Sequence, residues 1–173
     1  MGMAKGNSNS SIITVAVTQA LAAATAYHAN DVMCSSAATG VQWTFAAIFR
    51  ANTTYGRIVK ATLQSQSENV VPECVAYVFN AAATTVDEDH AANTNPDAAD
   101  LANYIGKVDF PALESLGTTD SVAVCTPSTY GNLPLAFTCS STADDLFGVL
   151  VTRDAFTQTA TDDITIKLTA EQY

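Results

Sequence analysis

Alternation of apolar and polar residues is the dominant pattern of this chain. Successive side chains of a strand point to opposite faces, so a strand with one buried face alternates with a period of two. In the first apolar segment, Ile13, Val15 and Val17 alternate with smaller or polar residues. This pattern predicts a first strand over residues 12–18.

Seven further segments have the composition of strands and are separated by turn residues. Residues 146–151 are almost continuously apolar, which is typical of a central strand covered on both faces. Trp43 lies in an alternating segment that should bury it. These predicted strands are 41–49, 56–66, 74–80, 121–126, 132–139, 146–153 and 163–169. Their short spacing favours an antiparallel two-sheet sandwich of about eight strands over a βαβ fold.

One segment, residues 96–106, has helical periodicity instead. Leu101, Tyr104 and Ile105 would share one helical face, and Gly106 would end the helix. The fold class predicted from the pattern is therefore all-β with one short helix.

Two stretches have no apolar periodicity. Residues 1–11 are rich in Gly, Asn and Ser and should form a flexible N-terminal arm. Residues 87–97 combine acids, Asn and Ala and should form a long exposed loop. Because 173 residues are close to the size of one domain, we expect residues 12–173 to fold as a single domain.

The net charge of −10 argues against a nucleic-acid partner, since a phosphate backbone requires clusters of Lys and Arg. The charge is also uneven, because residues 1–67 carry one acid against four bases and the rest of the chain is strongly acidic. Ordinary solvation of an acidic protein explains this pattern, and so does docking of the early part onto an acidic partner. In the second interpretation the docking residues are Lys5, Arg50, Arg57 and Lys60.

Membrane insertion is not expected. Lys5 followed by an apolar stretch resembles a signal peptide, but Thr14 and Thr18 interrupt that stretch. No apolar run is long enough to cross a bilayer.

Residues with catalytic chemistry are sparse. The two histidines, His28 and His90, lie in predicted loops where a solvated role is the simpler interpretation, and no nucleophile or phosphate-binding motif is present. The four cysteines lack the spacing of a zinc site. Three of them, Cys74, Cys125 and Cys139, fall in predicted strands and should be buried, reduced thiols.

The best metal candidate is the loop at residues 87–97, because calcium binds several carboxylate and amide oxygens. Its candidate ligands are Asp87, Asp89, Asn93, Asn95 and Asp97. The loop fails the EF-hand pattern, since Ala98 and Tyr104 stand where Gly and Glu are required. A solvated loop is the simpler interpretation, and we expect no catalytic, cofactor-binding or metal-binding residues.

Three blocks of the sequence carry a family resemblance. They are DLFGVLVTRDAFTQTATDDITIKLTAEQY at residues 145–173, HAANTNPDAADLANYIGKVDF at 90–110 and GRIVKATLQSQ at 56–66. Together with the first strand they resemble the small jelly-roll cement or decoration proteins of tailed bacteriophages.

The resemblance implies a jelly-roll sandwich that is not an enzyme and has no cofactor. Its expected role is that of a structural virion protein, made in the host cytoplasm, that binds the outside of a phage capsid and stabilises contacts between major capsid subunits. The strand edges of such a sandwich also predict a homo-oligomer, a dimer or trimer. Two alternatives stay open, a carbohydrate-binding jelly-roll module of a phage fibre or secreted protein, and a hydrolase with spatially paired acids.

Overall fold

The computed structural model describes residues 11–22, 25–49, 55–128, 132–138, 144–158 and 162–172. Within these residues the chain forms twelve strands and no helix. In chain order the strands are β1 (Ser11–Ala20), β2 (Ala26–Tyr27), β3 (Trp43–Phe45), β4 (Tyr55–Ser65), β5 (Cys74–Phe79), β6 (Tyr104–Phe110), β7 (Glu114–Leu116), β8 (Asp120–Cys125), β9 (Leu135–Thr138), β10 (Leu146–Thr152), β11 (Phe156–Thr157) and β12 (Asp163–Gln172).

Ten of the twelve strands form two antiparallel sheets, which confirms the predicted all-β architecture. The large sheet has the order β1-β12-β4-β8-β7, and β9 pairs with β4 beyond the end of β8. The small sheet has the order β3-β10-β5-β6, and β2 and β11 form a separate ribbon. Eight strands remain when β2, β7, β9 and β11 are left out. Numbered 1 to 8 along the chain, they have the order 1-8-3-6 in the large sheet (β1-β12-β4-β8) and 2-7-4-5 in the small sheet (β3-β10-β5-β6).

The main core lies between the two sheets. Ile164, Ile166 and Leu168 of β12 alternate inward and are each 1% exposed, as the sequence pattern predicts. They pack in one cluster with the aromatic side chains of the small sheet, Trp43 and Phe45 among them. Burial of this apolar surface supplies the main driving force for folding.

A second, smaller core covers the other face of the small sheet. Val75, Val149 and Val151 point into it from the strands, and Val32 and Val86 contribute from the segments 28–42 and 81–103. The small sheet is therefore buried on both sides, and its central strand β10 is almost entirely inaccessible. The continuous apolar run of β10 reflects this position.

The helix predicted at residues 96–106 is wrong. Residues 97–103 form turns, because the Asp97 carboxylate accepts hydrogen bonds from the N–H groups of Ala99 and Asp100 at 2.8 and 3.0 Å. The side chain of Leu101, predicted to share a helical face with Tyr104 and Ile105, is 59% exposed.

The last three residues of the predicted helix instead begin strand β6, which pairs with β5. A helix of this length is marginal by itself, and cross-strand pairing with a buried neighbour outweighs its local propensity. Val108 and Phe110 then alternate into the main core.

The predicted strand at residues 41–49 is much shorter in the structure. It ends at Phe45, and Ala47 has a φ of 51°, in the left-handed region that strands exclude. Trp43 is fully buried as predicted, and its indole N–H donates to the carbonyl oxygen of Met33 at 3.1 Å.

The cysteines match the prediction where the structure describes them. Cys74 and Cys125 are buried free thiols, and so is Cys34. Burial raises the pKa of Cys125 to about 11 and raises the pKa values of the Cys34 and Cys74 thiols as well. Cys139 lies outside the described residues.

Candidate docking face

The outer face of the large sheet is the candidate functional surface, and we call it the open face. Its side chains are exposed or half-buried and follow the strand register across the sheet. It comprises Ile12, Thr14, Ala16 and Thr18 of β1; Thr165, Lys167, Thr169 and Glu171 of β12; Tyr55, Arg57, Lys60, Thr62 and Gln64 of β4; Val122 and Val124 of β8; and Ala136 and Thr138 of β9.

A β-bulge in β4 brings Arg57 and Lys60 to the same face. Residues three apart in a regular strand point to opposite faces. In β4, however, Ile58 pairs with Ala170 and Lys60 pairs with Thr169, so Val59 is an extra residue between them. Both cationic side chains therefore point outward.

The cations of the open face differ in their partners. The Arg57 Nε atom lies 2.9 Å from Oε2 of Glu171, its cross-strand neighbour. The Lys167 Nζ atom lies 3.5 Å from the amide oxygen of Gln64. Within the described residues neither Lys60 nor Lys167 forms an ion pair, so both positive charges are available to a partner.

Threonine hydroxyls make up much of the remaining surface. Thr14 and Thr169 hydrogen-bond to each other at 3.0 Å, and Thr18 and Thr165 do so at 2.8 Å. These cross-strand contacts fix the side chains before any partner binds, which lowers the entropic cost of docking.

An apolar depression of about 540 Å³ lies at one end of the open face. It is lined by Tyr55, Arg57, Ala136, Phe137 and Thr138, and the Tyr55 side chain is 54% exposed. An aromatic side chain beside a depression is a suitable anchor for a partner's side chain.

One segment on the opposite side of the sandwich is acidic. Segment 81–103, which covers the small sheet, contains five acids and no Lys or Arg, and two of these acids, Asp89 and Asp100, are buried. The early and late parts of the chain do not divide the charges cleanly, since Lys167 of the open face comes from the late part.

The structure describes two of the four predicted docking residues. It places Arg57 and Lys60 together on the open face, whereas Lys5 and Arg50 lie outside the described residues. The arm predicted at 1–11 also lies outside them, except for Ser11, which begins β1. Sequence reasoning missed Lys167, because only the pairing of β12 with β4 shows that it lies opposite Thr62.

The two other described cations lie away from this face. Lys107 Nζ is 2.9 Å from Oδ2 of Asp109, and Arg153 Nη2 is 3.8 Å from Oδ1 of the same residue. The two cations share the Asp109 carboxylate at one end of the small sheet, where Glu73 and Asp154 also line the surface.

The acidic loop at 87–97 is less exposed than predicted, because Asp89 and Asn95 are 3% and 4% exposed. The Asp89 carboxylate accepts hydrogen bonds from the Tyr27 hydroxyl and from the backbone N–H groups of Ala22 and Cys34. It therefore fastens the segment after β1 to the loop over the small sheet.

His90 is also wrongly predicted as solvated. Its ring stacks on Tyr27 at 3.7 Å, its Nδ1 lies 2.9 Å from Asp89 Oδ2, and its Nε2 lies 2.7 Å from Thr25 Oγ1. This hydroxyl, imidazole and carboxylate series has the connectivity of a hydrolytic triad. The Asp89 carboxylate also accepts hydrogen bonds from two backbone amides, so it anchors two segments of the chain to the loop.

Within the described residues, no group of three or more His, Cys, Asp or Glu side chains is arranged to hold a metal ion. Asp87 and Asp97 instead accept hydrogen bonds from backbone N–H groups in their own loop. In the same part of the chain, no helix has the length and hydropathy needed to cross a membrane.

Comparison with known proteins gives no family assignment. No family model and no curated protein matches the chain. Similar solved structures include tomato aspermy virus, with 6% identity and a TM-score of 0.33 over 100% of this chain and 82% of that chain. Turnip yellow mosaic virus matches with 9% identity and a TM-score of 0.29 over 100% and 86% of the two chains.

A chain of the cyanophage Pam1 capsid asymmetric unit matches with 13% identity and a TM-score of 0.29, covering 94% of this chain and 84% of that one. All three are virus structures. TM-scores of this size do not establish a shared fold.

Proposed function

We propose that this chain is a structural virion protein of the cement or decoration type, which binds the outside of a phage capsid and stabilises contacts between major capsid subunits. The observation that carries the proposal is the open face, where Lys60 and Lys167 present positive charge among threonines on an otherwise acidic molecule. The proposal also assigns the chain a non-enzymatic role without a cofactor.

The strand order supports the fold implied by the sequence resemblance. Orders 1-8-3-6 and 2-7-4-5 arise when two Greek keys wrap into two facing sheets, which is the arrangement of a jelly roll. The three resembling sequence blocks fall on β4, on the segment leading into β6 and on β10 to β12. They therefore include strands of both sheets.

Docking through the open face follows from its chemistry. An acidic surface on the major capsid protein would attract the face electrostatically and orient the protein during encounter. Each contact is weak, but a protein repeated over a shell gains affinity from many simultaneous contacts. The acidic segment 81–103 would then point to solvent and keep particles apart.

Cosedimentation with capsids of the cognate phage prepared without this protein tests the proposal. We expect the double variant Lys60→Gln, Lys167→Gln to bind about fivefold more weakly, since two surface charges contribute about 1 kcal/mol together. Lys107→Gln removes the same kind of charge outside the open face and should bind normally. Unchanged binding of the double variant would refute the assignment of the open face. No binding of the unmodified protein would refute the capsid role itself.

A carbohydrate-binding module is the second candidate, and the exposed Tyr55 beside the apolar depression is the observation that favours it. Sugars stack on exposed aromatic rings. A glycan array with the unmodified protein and Tyr55→Ala separates the two candidates. Glycan binding that Tyr55→Ala abolishes, together with normal capsid binding of the double lysine variant, would favour the sugar-binding role.

A further inference from the structure

We propose that the free edge of β1 joins two copies of this chain, with their β1 strands paired antiparallel about Ala16. This inference does not depend on the capsid role, and it concerns the purified protein in solution. It rests on the length, composition and hydrogen-bonding register of β1.

β1 is an unprotected edge strand. It pairs with β12 along all ten residues, and no described strand pairs with its other edge. Natural edge strands are protected by charges, proline, bulges or short length. β1, with the sequence SIITVAVTQA, has none of these.

The other sheet edges are protected. β7 and β3 have three residues each and β9 has four, and β7 also contains Glu114. β6 contains Lys107 and Asp109 and a register shift opposite β5. Among the described edges, only β1 is long and free of charge.

The core is incompletely closed at this edge. Ile13, Val15 and Val17 point inward but stay half-buried, whereas Ile164 and Ile166 of the neighbouring strand β12 are 1% exposed. A strand added beside β1 would cover the exposed flank of these side chains. Apolar burial therefore favours an occupant of the edge.

The register identifies the backbone groups that are free. Leu21 N donates to Asp162 O at 3.1 Å and continues the pairing of β1 with β12. Hydrogen-bonded and non-hydrogen-bonded pairs alternate in an antiparallel ladder, so odd-numbered residues bond to β12. The N–H and C=O groups directed away from β12 belong to Ile12, Thr14, Ala16, Thr18 and Ala20.

These free groups fit a second copy of the same strand. Two β1 strands related by a twofold axis at Ala16 pair Ile12 with Ala20 and Thr14 with Thr18, so every free group faces another free group. The small Ala16 then meets its own copy on the axis. Because two copies carry −10 each, they approach with least repulsion along an uncharged edge.

The same twofold axis stands perpendicular to the sheet, since antiparallel edge pairing continues the sheet without turning it over. The two open faces therefore lie on the same side of the dimer. Lys60 and Lys167 of both copies would form one continuous surface.

Ala16→Glu is the decisive variant. In one copy its carboxylate faces Lys167, the cross-strand neighbour of Ala16, so the fold should be retained. In the dimer two glutamates would meet on the axis and repel each other. Ala16→Gln matches the length of the side chain without the charge.

Sedimentation velocity should show a dimer for the unmodified protein and for Ala16→Gln, and a monomer for Ala16→Glu. The melting temperature should depend on protein concentration for the two dimers and not for the Ala16→Glu monomer, which should still unfold cooperatively. Amide hydrogen exchange should protect Thr14, Ala16 and Thr18 only in the dimer. A monomeric or trimeric unmodified protein would overturn the inference. So would an Ala16→Glu dimer, or protection of these amides in a monomer, which would indicate that the arm at 1–10 covers the edge.

Discussion

The hydroxyl of Tyr27 lies 2.9 Å from both carboxylate oxygens of Asp89. Both residues are buried, and the Tyr27 ring stacks between His90 and Phe156. Burial and the nearby Asp89 charge raise the pKa of Tyr27 far above its usual range, so the phenol stays protonated and donates.

Tyr27→Phe should lower the free energy of unfolding by about 1–3 kcal/mol, because the buried carboxylate loses one hydrogen-bond donor while the stacking is kept. Urea denaturation measures the change. Tyr104→Phe is the control, since the Tyr104 hydroxyl makes no hydrogen bond within the described residues. Equal losses in the two variants would contradict the anchoring role of Asp89.

Stability should decline at alkaline pH. Burial raises the pKa of Cys34, Cys74 and Cys125, so the folded state keeps protons that an unfolded thiol loses above about pH 8.5. The stabilisation is complete below that pH and is lost as the pH rises toward the folded pKa values, by about 1.4 kcal/mol per pH unit for each thiol.

Urea denaturation between pH 7 and pH 10 tests this expectation in a reducing buffer. Cys74→Ala, which removes one of the three groups, should show a shallower decline whatever its stability at pH 7. A free energy of unfolding that stays constant to pH 10 would contradict the raised pKa values of the three thiols.

Capsid attachment should weaken as salt rises, because ions screen exposed charges over about 10 Å at 0.1 M and about 3 Å at 1 M. The double variant Lys60→Gln, Lys167→Gln should respond less to salt than the unmodified protein does. Binding that is equally strong at both salt concentrations would leave the threonines and the Tyr55 depression, and not the charges, as the source of affinity.

Gly40→Ala should destabilise the cover of the small sheet. A Cβ at Gly40 would lie 1.8 Å from the carbonyl oxygen of Val86, so the two covering segments would have to move apart. Overpacking of this kind costs about 1–3 kcal/mol. Gly117→Ala meets no atom within 4 Å and strains only its backbone at a φ of 73°, so it should cost less. A larger effect at Gly117 would mean that the contact at Gly40 relaxes freely.

Sequence patterns predicted the parts of the fold that depend on one strand at a time. The alternation in β1 and β12 and the apolar run of β10 fix which side chains are buried, because each reflects the local period of two or full burial. The helix prediction for residues 96–106 failed because their apolar spacing fits a helix. Their actual structure depends on pairing with β5, whose residues are distant in sequence. Short strands such as β2 and β11 carry too few residues for any period to be visible.

The candidate face was only partly predictable for the same reason. Arg57 and Lys60 were identified by charge alone, and the contribution of Lys167 depends on a strand register that no local pattern encodes. The burial of His90 depends on its stack with Tyr27, more than sixty residues earlier in the chain.

The extra residue in β4 adds length to the strand without changing which side chains face outward. Ile58 and Lys60 oppose the consecutive residues Ala170 and Thr169, so Val59 is one additional step along the backbone. Without it, Arg57 and Lys60 would still point outward and Ile58 inward, because the remaining residues alternate with a period of two. Deletion of Val59 should therefore preserve the open face, whereas insertion of a residue elsewhere in β4 would turn one half of the strand over.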